Sequence, residues 1–200
     1  MNFLVLDLEL TQNPGTTPKI IQIGAAKMNS RTGRVESTFS EICNPGEVPD
    51  AFITELTGIS AEAVSGAKPI KEVLEAFWAW FANQQVGGLI YQWGRGDTYD
   101  LVNASKAAEV APHPKTRSFD LKQFASPFRQ AKKQSVVGGL KNTMSLFGLE
   151  FHGRQHDALN DAKAAGELFV YLNARILKIE AIERVLAERP FQHRSPVLDK

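Results

Sequence analysis

The stretch Phe3-Leu4-Val5-Leu6-Asp7-Leu8-Glu9-Leu10 decides how the whole chain is read. It alternates and is rich in residues that favour extended backbone, and a strand points successive side chains to opposite faces. Asp7 and Glu9 therefore share one face, and Leu6 and Leu8 share the other. Two carboxylates side by side on an apolar strand repel each other and lose solvation. A divalent cation relieves both costs, because hard cations such as Mg²⁺ prefer carboxylate and water oxygens. The competing explanation is a strand end that reaches solvent, where acidic residues cost little.

Working outward, residues 19–28 and 34–42 read as two further strands. Asn13-Pro14-Gly15 and Ser30-Arg31-Thr32-Gly33 break the chain between them, and Asn44-Pro45-Gly46 ends the run. Short connections predict an antiparallel meander. Helices are expected over residues 51–56 and 70–81, the second with Val73, Leu74, Phe77, Trp80 and Phe81 at helical spacing. Residues 86–93 read as a buried strand, and the loop Gly94-Arg95-Gly96 leads into a helix from Asp97 to about Val110. Residues 116–119 read as a last strand, followed by helices over 121–124, 140–147, 157–172 and 174–187. The polar tail after Pro190 is expected to be mobile. The order βββααβαβααα fits an α/β fold with helices packed on a mixed sheet.

The 200 residues, 43% hydrophobic and 22% charged, suit one domain burying roughly 70% of its unfolded surface. A net charge of +1 does not indicate a strongly basic nucleic-acid binder. Charge is nonetheless uneven. Between residues 104 and 154, Lys106, Lys115, Arg117, Lys122, Arg129, Lys132, Lys133, Lys141 and Arg154 outnumber Glu109, Asp120 and Glu150 by nine to three. This is either a solvated surface or a phosphate-facing flank. Cys43 is the single cysteine, which excludes an intrachain disulfide and suits a reducing compartment. The apolar N-terminus is interrupted by Asp7 and Glu9 and lacks a basic leader, so the expected location is the cytoplasm.

Asp97 follows a strand end and a glycine loop, a position where aspartate serves well as a plain helix cap. Asp100, one turn on, is its rival as a ligand. In His156-Asp157-Ala158-Leu159-Asn160-Asp161, Asp157 and Asp161 would share a helix face. His156 and Asp161 converge only if His156 sits in the loop before the helix, which Gly153-Arg154-Gln155 permits.

Together these pieces resemble the DEDDh 3′→5′ exonucleases, a branch of the ribonuclease H-like fold. Asp7-Leu8-Glu9, Asp97 behind a tryptophan-glycine strand end, and His156 with Asp161 five residues on resemble that family's three motifs. The resemblance runs from Phe3 to about Leu172. Ile20-Ile21-Gln22-Ile23-Gly24-Ala25 resembles the family's second strand, and Glu55-Leu56-Thr57-Gly58-Ile59 its "hit-x-TGI" segment. Trp93-Gly94-Arg95-Gly96-Asp97 and the placement of Thr11 are similar to the branch holding the 3′ histone-mRNA exonuclease and the sporulation-inhibitor exonucleases. The proofreading branch of the polymerases has Thr where this chain has Leu10.

The resemblance implies a mixed five-stranded sheet, an antiparallel meander plus parallel strands, flanked by helices. The exonuclease domain would span residues 1–175, with residues 176–200 as a C-terminal helix and tail of the same domain. Asp7, Glu9 and Asp161 would hold one metal, Asp7 would bridge to a second, and Asp97 would support that second ion. The ions would be Mg²⁺ or Mn²⁺. His156 would be the general base, since histidine exchanges protons near neutral pH. Leu10, Leu56 and Thr57 would lie against the terminal nucleotide of a single strand with a free 3′ end. Two other readings are a phosphodiesterase of short oligonucleotides and a catalytically silent nucleic-acid-binding module. The choice between DNA and RNA rests on contacts to the 2′-OH that no motif specifies.

Overall fold

The computed structural model describes residues 1–132 and 138–188. Lys133, the tail beyond Pro190 and the side chain of Ile182 lie outside the described residues. Strands β1 (Asn2–Leu10), β2 (Ile20–Asn29) and β3 (Val35–Asn44) form the expected antiparallel meander. The two-residue β4 (Lys68–Pro69) joins β3 in parallel. On the other side β5 (Leu89–Gln92) runs parallel to β1, and β6 (Arg117–Asp120) parallel to β5. The order is β4-β3-β2-β1-β5-β6, six strands where five were expected. Two residues are too few for a periodic pattern, and Pro69 is tolerated there because β4 lies at a sheet edge.

The alternation of β1 divides the core. Leu4, Leu6 and Leu8 pack with Leu74, Phe77, Trp78 and Phe81 of α3 (Ile70–Asn83) and Leu101 of α4 (Asp97–Ala107). Phe3 and Val5 face the opposite layer, made by α5 (Leu121–Ala131), α6 (Leu140–Leu146) and α7 (Ala158–Glu188). Asp7 and Glu9 continue that second row, as the alternation predicts. A register shift between Glu9 and Leu10 breaks the β1–β2 ladder beside them. A third cluster, Ile21, Ile53, Ile59 and Val64, lies under α1 (Ala51–Thr57) and α2 (Ala61–Gly66).

Three helices depart from the sequence reading. The short α2 begins at a Ser60 cap. α5 runs on through Pro127, because Ala125 and Phe128 beyond the expected end pack into the core. The two helices expected over 157–172 and 174–187 are one helix of 31 residues, α7, since neither Gly nor Pro interrupts residues 172–175. Arg129 of the basic stretch is 3% exposed, so it is no part of a solvated flank.

α7 reaches the sheet at a glycine. A Cβ on Gly24 would lie 2.1 Å from the Ala158 carbonyl carbon and 2.2 Å from the Leu159 nitrogen. Both neighbours are backbone and cannot rotate away. Gly24 also pairs across the ladder with Asp7, so this contact lays the start of α7 over the carboxylates. Gly24→Ala is expected to cost about 1–3 kcal/mol, a Tm fall of roughly 2–12 °C. A thermal melt checks it, and an unchanged Tm would contradict the close approach.

Candidate active site

Each of the five residues singled out by motif is set in place by local structure. Glu9 pairs with Gln22 of β2, whose side chain is 5% exposed and works in two directions. Its Oε1 accepts the Ala158 N–H at 3.1 Å, and its Nε2 donates to Asp157 Oδ2 at 3.2 Å. Asp157 in turn caps α7, its Oδ1 accepting the Asn160 N–H at 3.0 Å. Gln22 and Asp157 thus fix the start of the helix that carries Asp161.

His156 sits in the loop immediately before α7, the position required for it to meet Asp161. Its φ of 58° is left-handed, which costs a non-glycine residue roughly 1–2 kcal/mol. That conformation turns its backbone N–H to Asp161 Oδ2 at 3.1 Å. The loop is held further by Asn160 Nδ2 donating to the Arg154 carbonyl at 3.2 Å. Arg154 Nη2 donates to the Glu55 carbonyl at 3.1 Å, at the end of α1. Its guanidinium fills the space where a Cβ on Gly58 would stand, and Gly58 closes α1 at φ 75°. The Thr57-Gly58 segment and the His156 loop are therefore one packed unit.

Asp97 is the first residue of α4, and Gly96 occupies the cap position, so Asp97 is not the helix cap. The loop before it is held by Gln92, 2% exposed. Gln92 Oε1 accepts the Thr98 N–H at 2.9 Å and the Thr98 hydroxyl, and its Nε2 donates to the Gly94 carbonyl at 3.1 Å.

One ligand atom each from Glu9, His156 and Asp161 lie within 4.8 Å of one another. Asp7 and Asp97 join the group electrostatically. Burial pushes the Asp7 carboxyl well above its usual range, and the charges of Asp97, Asp161, Glu9 and Asp157 push it further. Glu9 is raised to about 8 by burial and then by Asp161, Asp157 and Asp97. Asp97 is raised to about 7 by burial and by Asp100. Burial also raises Asp161, against the opposing effect of the His156 N–H. Of the two α4 carboxylates, Asp97 is the one among the charges that raise Asp7. Such a cluster of crowded oxygen donors is suited to divalent cations.

The three residues expected from the sequence to face the substrate stand differently. Leu10 and Leu56 are half-buried. Thr57 is buried, with its hydroxyl donating to the Ile53 carbonyl at 2.8 Å and accepting the Ile59 N–H at 3.1 Å. The supporting residues Gln22, Gln92, Asp157 and Arg154 were not singled out as site residues in the sequence. Gln22 carried a signal as the polar member of Ile20-Ile21-Gln22-Ile23, and Asp157 carried one in its spacing of four from Asp161.

Residues 4–169 match the exonuclease family RNase_T. The chain belongs to that family. Residues 4–169 thus form an exonuclease-family domain, a family of nucleases that hydrolyse phosphodiester bonds. The chain is 32% identical over 173 residues to the PolC-type DNA polymerase III of Streptococcus mutans, and equally so to that of Streptococcus pneumoniae. Those matches cover 85% of this chain, which spans only 11% of the polymerases' length. Among solved structures it is similar to the nuclease domain of 3′hExo, a DEDDh family member bound to rAMP. That match has a TM-score of 0.74 and 20% identity, covering 87% of this chain and 92% of the other. E. coli Exonuclease I in complex with a dT13 oligonucleotide matches with a TM-score of 0.67 and 16% identity, covering 90% and 43%. Sequence similarity thus extends to the polymerases, although Leu10 stands where the proofreading branch has Thr. No helix among the described residues is long and apolar enough to cross a membrane.

The raised carboxylates make a prediction for the metal-free protein. A carboxyl raised on folding stabilises the fold while protonated. That stability is complete below the ordinary values of 3.8 and 4.5 and is lost as pH rises through about 7 for Asp97 and about 8 for Glu9. Thermal melts in chelator should show Tm falling over this range, and Mg²⁺ should flatten the fall. A flat profile in chelator would contradict the crowding.

Proposed function

We propose that the protein is a 3′→5′ exonuclease of single-stranded RNA or DNA that releases nucleoside 5′-monophosphates one at a time with two divalent ions, Mg²⁺ or Mn²⁺. The observation that carries this reading is the convergence of carboxylates from β1, α4 and α7 with His156 beside them. Asp7, Glu9 and Asp161 would hold one ion, and Asp7 with Asp97 the second. Bound divalent ions supply activation of water and stabilisation of the leaving 3′ oxygen. His156 takes the proton of the attacking water at a ring nitrogen, help typically worth about 10²–10⁴-fold. Asp161 orients His156 by accepting its backbone N–H.

Leu10 and Leu56 give the terminal base an apolar surface, which favours an unpaired end. The Thr57 hydroxyl is occupied within α1, so its part is to hold Leu56 and Gly58 in place. Residues 1–175 and the helix beyond act as one domain, because α7 passes through residues 175 and 176 without a break. The free, buried Cys43 accords with a reducing, cytoplasmic setting.

The test is a panel of 5′-labelled single- and double-stranded DNA and RNA with Mg²⁺ and Mn²⁺. Unpaired 3′ ends should be shortened by single nucleotides, and blocked 3′ ends should resist. Cleavage of dinucleotides without cleavage of longer strands would replace this reading with a phosphodiesterase of short oligonucleotides.

A further inference from the structure

We propose that the groove beside Asp97 holds the nucleotide on the 5′ side of the scissile phosphate, with Tyr99 as its stacking surface and Arg95 as its phosphate contact. This rests on the exonuclease reading above. The groove is a cavity of about 530 Å³ whose lining includes Gly94, Arg95, Gly96, Tyr99, Phe119 and Phe124. That volume lies within the range of small-ligand sites.

Its position follows from the sheet. β1, β5 and β6 are parallel, so their carboxyl ends lie along one edge. Asp7 and Glu9 lie near that end of β1, Asp97 lies beyond β5, and the groove opens beyond β5 and β6. Ligands of parallel sheets gather at this edge. Neighbouring strands are about 4.8 Å apart, so the groove lies roughly 5–10 Å from β1, within reach of the next one or two nucleotides.

Two side chains suit that occupant. Tyr99 is 71% exposed, far more than an aromatic ring without a partner favours. It follows Asp97 by two residues on α4, about 200° around the axis, and so points away from the carboxylates. A tyrosine face stacks any base. The Arg95 side chain is 81% exposed, with Nε 3.5 Å from Asp120 Oδ2 and Nη2 donating to Gln123 Oε1 at 3.3 Å. An ion pair this exposed contributes little, and the guanidinium fork matches a phosphate. Asp120 stays committed without Arg95, because its Oδ1 accepts the Gln123 N–H at 2.9 Å.

Two substrates separate the groove from the catalytic centre. A twelve-nucleotide single strand carries upstream nucleotides. The p-nitrophenyl ester of thymidine 5′-phosphate carries the terminal nucleotide alone. Tyr99→Ala should raise KM for the strand about 5- to 150-fold, the range for losing one stacked base, and leave ester hydrolysis unchanged. Tyr99→Phe should restore the strand KM. Arg95→Ala should weaken strand binding and lessen its salt dependence. Binding of the labelled strand to Asp7→Asn protein, with and without Tyr99→Ala, should show the same loss by fluorescence anisotropy. Equal losses on strand and ester would overturn the proposal, since Tyr99 would then act through Asp97. Unchanged strand KM and affinity would overturn it too. Tyr99-dependent binding in a protein that hydrolyses neither substrate would support the groove and count against the exonuclease reading.

Discussion

Asp7→Asn should abolish turnover while making the metal-free protein more stable. Asp7 stands at the centre of the repulsion: burial raises its carboxyl, and four other carboxylates raise it further. The amide keeps the shape and removes the charge. If Asp7 holds the ions as proposed, its loss would forfeit several kcal/mol of transition-state stabilisation, about three to four orders of magnitude in kcat. Relief of repulsion acts on the fold in the opposite direction, raising Tm in chelator by roughly 2–4 °C per kcal/mol relieved. The wild type should gain stability from Mg²⁺ or Mn²⁺ by mass action, about 2.7 kcal/mol at a hundredfold excess over Kd. The variant should lose most of that gain. Kinetics and paired melts with and without metal measure all three effects. An active variant, or one that unfolds at a lower temperature in chelator, would contradict the role given to Asp7.

His156→Ala should lower kcat about 10²- to 10⁴-fold and leave metal stabilisation in place. A ring nitrogen of His156 lies within 4.8 Å of Glu9 and Asp161 oxygens, so it is near enough to be either a ligand or a base. The two roles differ in what the melt shows. A base leaves the carboxylates to bind the ions, so the Mg²⁺-dependent rise in Tm persists while kcat falls. A ligand takes the rise with it. The proposed roles put Asp7 and His156 in one step, so the double variant should be little slower than Asp7→Asn alone.

Much of the site was legible in the sequence because its carriers obey local rules. Alternation in β1 put Asp7 and Glu9 on one face, and the structure has Leu4, Leu6 and Leu8 on the other. The loop position of His156 followed from its spacing to Asp161 and the glycine before it. The support was less legible, because it depends on register. Gln22 reaches the start of α7 only because β2 pairs with β1 as it does, and Gly24 matters only because α7 lands on it. Gln92 reads as one more residue of β5 until the turn brings Thr98 back to it. Charge counting was the weakest guide: Arg129 counted as surface and is buried. The edge pair Lys68–Pro69 and the passage of α5 through Pro127 are both tertiary overrides of local preference.

The most direct test of the central claim is a time course on one single-stranded sequence, offered as a 5′-labelled linear strand and as a closed circle, with Mg²⁺. The account predicts that the linear strand shortens from its 3′ end to a descending ladder, that the small product is a nucleoside 5′-monophosphate, and that the circle survives. Cutting of the circle at the rate of the linear strand, or persistence of the full-length linear strand at saturating Mg²⁺ and Mn²⁺, would contradict it.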